Sequence, residues 1–290
     1  MAKPPFTDFV SVRDLTRDQL LSLLKKAGEM MPYARGEKRA SAMNGKILGT
    51  LFYEPSTRTR LSFESAMVRL GGAVIGFTSA TGTSVEKGEN LSDTIRVTES
   101  YADILVIRHP LEGAARLAAD LSNKPVINAG DGAGQHPTQT LLDLYTILEA
   151  KKRLEGVHVV LLGDLKFGRT VHSLAEALAL FGARLTLVSP PSLEMPRDVL
   201  NQIESNGIRP EQISSLDEAV SDADVLYVTR IQKERFADPA EYAKVAGSYR
   251  IDRRILSIAK SDMSVMHPLP RVGEIDPDID SLPNSLYFRQ

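Results

Sequence analysis

Six short apolar runs, separated by segments with helical periodicity, most constrain the fold of this chain. Each run holds four to six mostly apolar residues, which is typical of strands covered on both faces of a parallel sheet. Strand and helix patterns alternate along the whole chain, and this alternation predicts an α/β fold. The runs are residues 47–52, 104–107, 125–129, 158–162, 184–188 and 225–228.

Helical periodicity fills the intervening segments. We predict helices over 14–31, over 63–70 before a Gly-Gly pair, and over 171–178 before Gly182. Pro137 stands where the first turn of a long helix over 138–152 would begin. This helix is the best candidate for a connector between two α/β halves.

The length of the chain agrees with two domains of similar size. With 290 residues, each half can bury an ordinary hydrophobic core. We therefore predict two domains, 1–137 and 138–290, each a parallel sheet flanked by helices.

Charge and composition exclude several classes of protein. The net charge is −2, so no global positive field exists to hold nucleic acid or an anionic membrane. The chain has no cysteine, which removes disulfides, thiolate nucleophiles and cysteine-ligated metals. The five histidines show no ligand spacing, so no metal site is predicted. The N-terminal segment has no signal-peptide pattern and no run is long enough to span a membrane, so we expect a cytoplasmic protein.

The sharpest local signal is the segment Ser56-Thr57-Arg58-Thr59-Arg60, which follows a predicted strand and opens an amphipathic helix. The first N–H groups of a helix have no partner within it, and the helix dipole favours negative charge there. The hydroxyl groups and the forked Arg58 guanidinium add donors suited to phosphate. A helix capped by serine, with arginines on its surface, explains the same pattern without any ligand.

Polar residues also follow several of the other apolar runs. In open α/β sheets, ligands bind beyond the carboxyl ends of the strands. Several arginines there, together with Arg58, predict a ligand with more than one negative charge. His136, placed before Pro137, could polarise a carbonyl oxygen. The strand-end arginines are Arg108, Arg169, Arg230 and Arg271.

Two common nucleotide signatures are absent from the sequence. Neither G-x-x-x-x-G-K-[ST] nor G-x-G-x-x-G occurs, which disfavours a nucleotide-dependent oxidoreductase. The polar segment 81–90 is either a solvated surface loop or a loop that closes over a ligand and supplies Lys87.

Taken together, these segments resemble the carbamoyltransferase family from about Arg13 to the last residue. The segment 56–60 marks the whole family, and His136-Pro137-Thr138-Gln139 supports the resemblance. The motif at 267–271 and the loop with Ser84 and Lys87 resemble the branch that acts on aspartate, since the ornithine branch usually carries a cysteine in the former.

The resemblance implies transfer of the carbamoyl group from carbamoyl phosphate to L-aspartate, an early step of pyrimidine synthesis that needs no cofactor and no metal. The residues implied to act in catalysis are Arg58, Thr59, Arg108 and His136. Those implied to bind carbamoyl phosphate are Ser56, Thr57, Arg58, Thr59, Ser84, Lys87, Arg108, His136, Gln139, Pro268 and Leu269. Those implied to bind aspartate are Lys87, Arg169, Arg230 and Gln232.

The resemblance also implies a homotrimer in which Ser84 and Lys87 reach the site of a neighbouring subunit. It leaves open whether trimers join a regulatory chain. Family members usually continue into a C-terminal helix that returns to the first domain, and this helix is expected to be absent here. A carbamoyltransferase for another amino acid such as ornithine, and a non-catalytic anion-binding module, remain alternative hypotheses.

Overall fold

The computed structural model describes residues 7–236 and 238–290. Residues 1–6 and Ala237 lie outside the described residues. The N-terminal segment in which we found no signal-peptide pattern therefore lies partly outside them. The chain divides into two compact units, one extending to Thr138 and the other comprising Gln139–Gln290.

The first unit is built on a four-stranded parallel sheet in the order β2-β1-β3-β4. Alternate side chains of its central strands face opposite layers of helices, as the pleat of a strand requires. Leu51 and Leu105 belong to one buried cluster, whereas Phe52 and Val106 belong to the other. The strands are β1 (Ile47–Phe52), β2 (Ala73–Phe77), β3 (Ile104–His109) and β4 (Val126–Asp131), and the helices are α1 (Arg17–Ala34), α2 (Thr57–Arg69), α3 (Leu91–Thr98) and α4 (Ala114–Leu121).

The second unit carries a five-stranded parallel sheet in the order β7-β6-β5-β8-β9. Helix α6 is buried from Val171 to Ala179. The strands are β5 (His158–Leu162), β6 (Arg184–Val188), β7 (Glu211–Ile213), β8 (Val225–Val228) and β9 (Ser264–Met266). The helices are α5 (Pro137–Lys151), which begins in the last residues of the first unit, α6 (Arg169–Leu180), α7 (Arg197–Ser205), α8 (Leu216–Val220), α9 (Pro239–Val245) and α10 (Arg253–Ile258).

The predicted fold class, α/β with two parallel sheets flanked by helices, is confirmed. Helix α5 begins at Pro137, as the sequence predicts. Helix α1 begins at Arg17 rather than residue 14, because Thr16 forms a capping box with Gln19 and residues 12–14 form a separate 3-10 turn. In the part of the chain that the structure describes, no helix is both long and apolar enough to cross a membrane.

Candidate active site

The strand order marks one binding position in each unit. In the first sheet the chain leaves β1 toward β2 on one side and reaches β3 on the other, so the order reverses between β1 and β3. In the second sheet the same reversal falls between β5 and β8. A crevice opens beyond the carboxyl ends of the strands at such a reversal, and ligands of open α/β sheets bind there.

The N-terminus of α2 lies just beyond the carboxyl end of β1. Ser56 is the N-cap residue in an extended conformation, but its side chain makes no capping hydrogen bond. Ser56 thus begins the helix by its backbone conformation alone, without the side-chain cap that serine commonly supplies. The half-buried Ser56 and Thr59 and the exposed Thr57 and Arg58 surround a helix end whose first N–H groups have no partner within the helix.

Arg108 lies at the carboxyl end of β3, the other strand of this reversal. It is only 9% exposed, and its Nη1 donates to the carbonyl oxygen of Ala129 at 3.1 Å. Its Nη2 donates to Glu54 Oε1 at 2.8 Å, while its buried Nε has no hydrogen-bond partner among the described residues. A buried donor without a partner is energetically costly.

Two guanidinium groups share this end of the first sheet. Burial lowers the pKa of Arg58, and the nearby charge of Arg108 lowers it further. Two neighbouring cations repel each other, and a bound anion would offset this repulsion. The sequence-predicted phosphate residues on α2 are thus brought together with Arg108.

The loop after β4 is held by its own buried polar groups and leads to His136. Asp131 Oδ1 accepts from the backbone N–H of Gln135 at 3.0 Å and from Asn128 Nδ2 at 2.9 Å. His136 is 6% exposed, and its Nδ1 lies 3.4 Å from Thr138 Oγ1. The imidazole is therefore fixed at the start of α5, where the sequence predicts it.

Ser84 and Lys87 form the two ends of a short 3-10 helix on an exposed loop. Thr83 Oγ1 accepts from the backbone N–H of Val85, and Glu86 accepts from that of Gly82 at 2.9 Å. The loop has its own internal hydrogen bonds, while Ser84 and Lys87 lie at the surface.

In the second unit, Asp164 organises the loops after β5 and β8. It is fully buried, and burial raises its pKa. Its carboxylate accepts from the backbone N–H groups of Phe167 at 2.9 Å and Gln232 at 3.4 Å. Gln232 Nε2 in turn donates to the carbonyl oxygen of Phe167 at 3.2 Å. Gln232 is therefore tied to the loop that leads into Arg169, the first residue of α6.

The segment after β9 has a locally constrained backbone. The backbone N–H of Leu269 donates to His267 Nδ1 at 2.8 Å, and His267 Nε2 donates to Glu274 Oε1 at 2.7 Å. Leu269 has a φ of 53° and precedes a cis proline. A left-handed φ at a residue other than glycine, as at Leu269, is frequent at functional sites.

The sequence predicts that Arg271 contributes to binding an anionic ligand, but the structure gives its guanidinium other partners. Both of its Nη atoms donate to the Asp280 carboxylate, and Nη1 also donates to Tyr287 Oη at 3.4 Å. Its guanidinium also lies over the rings of Tyr287 and Phe288. Arg271 is thus committed to packing within the second unit.

Three acidic residues around the predicted site residues were missed by sequence reasoning. Glu54 pairs with Arg108, Asp164 organises two loops, and Asp143 accepts from Gln139 Nε2 at 2.9 Å. The i, i+4 spacing of Gln139 and Asp143 on a helix was an available signal. Arg108, the partner of Glu54, and Gln232, one of the partners of Asp164, lie far away in sequence, and no local pattern indicates them. Among the described residues, no group of three or more His, Asp or Glu side chains could hold a metal ion.

The sequence matches known protein families over nearly its whole length. Residues 7–149 match the family described as aspartate/ornithine carbamoyltransferase, carbamoyl-P binding domain. Residues 155–290 match its Asp/Orn binding domain. The chain belongs to the aspartate/ornithine carbamoyltransferase family, which confirms the resemblance found in the sequence.

Individual relatives narrow this class to the aspartate branch. The aspartate carbamoyltransferase catalytic subunit of Methanothermobacter thermautotrophicus is 55% identical, over 98% of this chain and 91% of that protein. The corresponding subunit of Archaeoglobus fulgidus is 57% identical, over 97% of this chain and 93% of that protein.

Solved structures similar to this chain are also aspartate transcarbamoylases. The catalytic subunit of M. jannaschii aspartate transcarbamoylase is 52% identical with a TM-score of 0.90, over 98% of this chain and 92% of that one. Aspartate transcarbamoylase from Trypanosoma cruzi, solved with carbamoyl aspartate and phosphate, is 40% identical with a TM-score of 0.91, over 100% of this chain and 94% of that one.

Proposed function

We propose that this chain is a catalytic aspartate carbamoyltransferase, which converts carbamoyl phosphate and L-aspartate to N-carbamoyl-L-aspartate and phosphate in pyrimidine synthesis. The observation that carries the proposal is the arginine pair of the first unit. Arg58 lies in the first turn of α2 and Arg108 at the carboxyl end of β3, so both stand at the β1/β3 reversal, where burial and then the charge of Arg108 lower the pKa of Arg58. Relatives more than half identical to this chain bear the name of this enzyme.

Most of the residues that we propose to bind carbamoyl phosphate belong to the first domain, residues 1–137, and the others belong to the second. The N-terminus of α2, with its hydroxyl groups and Arg58, would bind the phosphate. Thr59, Arg108 and His136 would donate to the carbonyl oxygen. Gln139 and the backbone carbonyls of Pro268 and Leu269 would accept from the NH₂ group. Ser84 and Lys87 of a neighbouring subunit would also bind carbamoyl phosphate.

L-aspartate is assigned to the second domain, residues 138–290. Its two carboxylates need cationic and amide donors, and Arg169, Arg230 and Gln232 follow the strands that flank the β5/β8 reversal. Lys87 would add a further positive charge. A second ammonium group, as in ornithine, would be repelled by this set.

The chemistry follows from the charges that develop during the reaction. The aspartate amine attacks the carbonyl carbon, and negative charge collects on the carbonyl oxygen, where Thr59, Arg108 and His136 would stabilise it. The bond from carbon to the phosphate oxygen then breaks, and the departing phosphate takes the amine proton. Holding both substrates in place supplies much of the remaining acceleration. No cofactor and no metal ion enter this scheme.

The assembly is a further part of the proposal. We infer a homotrimer located in the cytoplasm, with Ser84 and Lys87 contributed to the site of a neighbouring subunit. The exposed position of these residues on the loop supports it. Association with a regulatory chain is a separate question that size measurements on the purified protein address.

The activity is tested by measuring phosphate release from carbamoyl phosphate with L-aspartate or L-ornithine as the acceptor. We expect release that depends on aspartate, with ornithine giving no more than the background hydrolysis. Release with ornithine alone would move the chain to the other branch of its family. Tight binding of carbamoyl phosphate without release for either acceptor would instead indicate a non-catalytic module.

A further inference from the structure

Asp143 is a fully buried carboxylate surrounded by hydrogen-bond donors. It lies on α5 with an exposed fraction of 0%. Its Oδ1 accepts from Gln139 Nε2 at 2.9 Å and from the side-chain amide of Gln290, and its Oδ2 accepts from the Tyr227 hydroxyl at 2.8 Å. Each of these three neighbours therefore presents a proton to the carboxylate.

These contacts fix which end of the Gln139 amide faces inward. The Tyr227 hydroxyl gives its single proton to Asp143, so its oxygen acts as an acceptor toward other groups. Gln139 Nε2 donates to Asp143 Oδ1, so the NH₂ end of this amide is held by Asp143, and the other end is its acceptor oxygen Oε1.

We propose that Asp143 is a positioning residue that fixes the orientation of the Gln139 amide and thereby selects a donor substrate whose transferred group carries an NH₂. This inference rests on the proposed function, in which Gln139 contacts the carbamoyl NH₂. A carboxylate can only accept hydrogen bonds, so it holds the Gln139 NH₂ toward itself, and the end of the amide that faces away from Asp143 is the accepting Oε1. An asparagine in its place presents either end, and the Gln139 amide can then invert.

The chemical consequence is discrimination between carbamoyl and acetyl donors. A carbamoyl NH₂ donates to an acceptor oxygen, whereas the methyl of an acetyl group cannot donate to it. Sites built to pair with a polar group reject analogues that lack it. In an inverted amide, the Gln139 NH₂ would meet the carbamoyl NH₂ donor to donor, and the preference would decline.

The test compares kcat/KM for carbamoyl phosphate and acetyl phosphate, each with L-aspartate, in the wild-type protein and in Asp143→Asn. Attack on acetyl phosphate gives N-acetyl-L-aspartate and phosphate, so phosphate release reports both reactions. We expect the ratio of carbamoyl to acetyl transfer to fall about ten-fold in Asp143→Asn, the factor for one hydrogen bond. A folded variant with an unchanged ratio, including one in which both activities fall equally, would overturn the inference.

A matched control is Asp224→Asn. Asp224 is also a buried carboxylate of the second unit, and it pairs with Lys260 and Arg153 instead of a predicted substrate contact. Its replacement is expected to leave the ratio unchanged. A ratio that falls equally in both variants would contradict a specific role for Asp143. If the wild-type protein shows no carbamoyl transfer, the proposed function itself is rejected. Failure of the proposed function and failure of the role of Asp143 therefore give different results.

A second measurement uses the wild-type protein and covers the case in which Asp143→Asn fails to fold. Burial raises the pKa of Asp143 to about 7, against hydrogen bonds from Tyr227, Gln139 and Gln290 that lower it. Tyr227, the titratable side chain among these, stays neutral because burial raises its pKa well above its usual value. A protonated Asp143 can donate to Gln139, so the ratio should fall as pH decreases from about 8 to about 6. The requirement for an unprotonated aspartate amine cancels because both reactions share it, and a constant ratio would argue against the proposal.

Discussion

Arg108 shows how one side chain can be prepared for an anion before any anion binds. Two of its nitrogens are fixed by Glu54 and the Ala129 carbonyl, and the buried Nε is left without a partner. The guanidinium cannot rotate away without losing both contacts. Preorganised donors of this kind cost no rearrangement when charge develops on the substrate.

Replacing Arg108 with lysine keeps the positive charge but removes the forked donor geometry. We expect kcat/KM for carbamoyl phosphate to fall by about 10²–10³, the usual effect of losing one preorganised donor. Steady-state phosphate release measures this. Arg116→Lys, which changes an exposed arginine paired with Asp14, serves as the matched control and should retain activity. Equal activities for the two variants would contradict the role assigned to Arg108.

Asp143 gives a pH dependence of stability with a definite sign. Its pKa in the folded protein, about 7, lies above its ordinary value of 3.8, so the folded state holds a proton that the unfolded chain releases between these values. The stabilisation from this proton is complete below about pH 4 and is lost as pH rises through 7.

Urea unfolding at pH 5 and pH 8 tests this effect in the wild-type protein and in Asp143→Asn. From pH 5 to pH 8, the wild-type protein should lose about 2–3 kcal/mol more of its free energy of unfolding than the variant does. If the two proteins change by the same amount, Asp143 does not titrate in the predicted manner.

At the scale of elements, the reversals of strand order place both candidate sites, and glycine permits the close packing at one of them. Gly163, directly after β5, has a φ of 117°, and a Cβ there would lie 2.2 Å from the carbonyl oxygen of Thr229. Gly163→Ala should lower the free energy of unfolding by about 3 kcal/mol or more, through backbone strain and this clash.

Gly182→Ala is the control for that substitution. Gly182 also has a positive φ, of 67°, but a Cβ there meets nothing within 4 Å. Its replacement should therefore cost about 1–2 kcal/mol, from the left-handed backbone alone. Denaturant unfolding of the two variants gives the comparison, and equal losses would show that the contact with Thr229 has no effect.

The sequence predicts the central strands better than the edge strands. The bounds of β1, β5, β6 and β8 agree with apolar runs, because both faces of these strands are covered. The strands β2, β7 and β9 were not predicted, and all three lie at sheet edges. β7 and β9 hold only three residues each, whereas β2, with the sequence AVIGF, is an apolar run that sequence reasoning missed.

The sequence could propose site residues where a polar group follows a strand, as Arg58 and Arg169 do, and their binding of a ligand stays a prediction. Partners distant in sequence were not predictable. Arg271 looks like another strand-end arginine, and only the fold shows that Asp280 engages it. The pairing of Asp164 with Gln232, 68 residues away, likewise depends on the fold.

At the scale of the whole molecule, each unit repeats the same architecture of a parallel sheet with a reversal of strand order. The proposed trimer leads to a prediction about sites to which two subunits contribute residues. If Lys87 serves a neighbouring subunit, Arg58→Ala and Lys87→Ala chains damage different parts of each shared site.

Mixing these two inactive proteins after reversible dissociation should therefore restore activity. With random reassembly, about a quarter of the shared sites would combine two intact contributions. Phosphate release from the mixture measures the recovery, and unmixed samples taken through the same treatment are the control. No recovery after demonstrated subunit exchange would mean that each chain supplies its own complete site.

The most direct measurement is a crystal structure of the protein with carbamoyl phosphate bound. We predict the phosphate at the N-terminus of α2, within hydrogen-bond distance of the backbone N–H groups of residues 57–59 and of the Arg58 guanidinium, with the carbonyl oxygen facing Arg108 and His136. A phosphate bound anywhere else, with the α2 N-terminus left to solvent, would contradict the account.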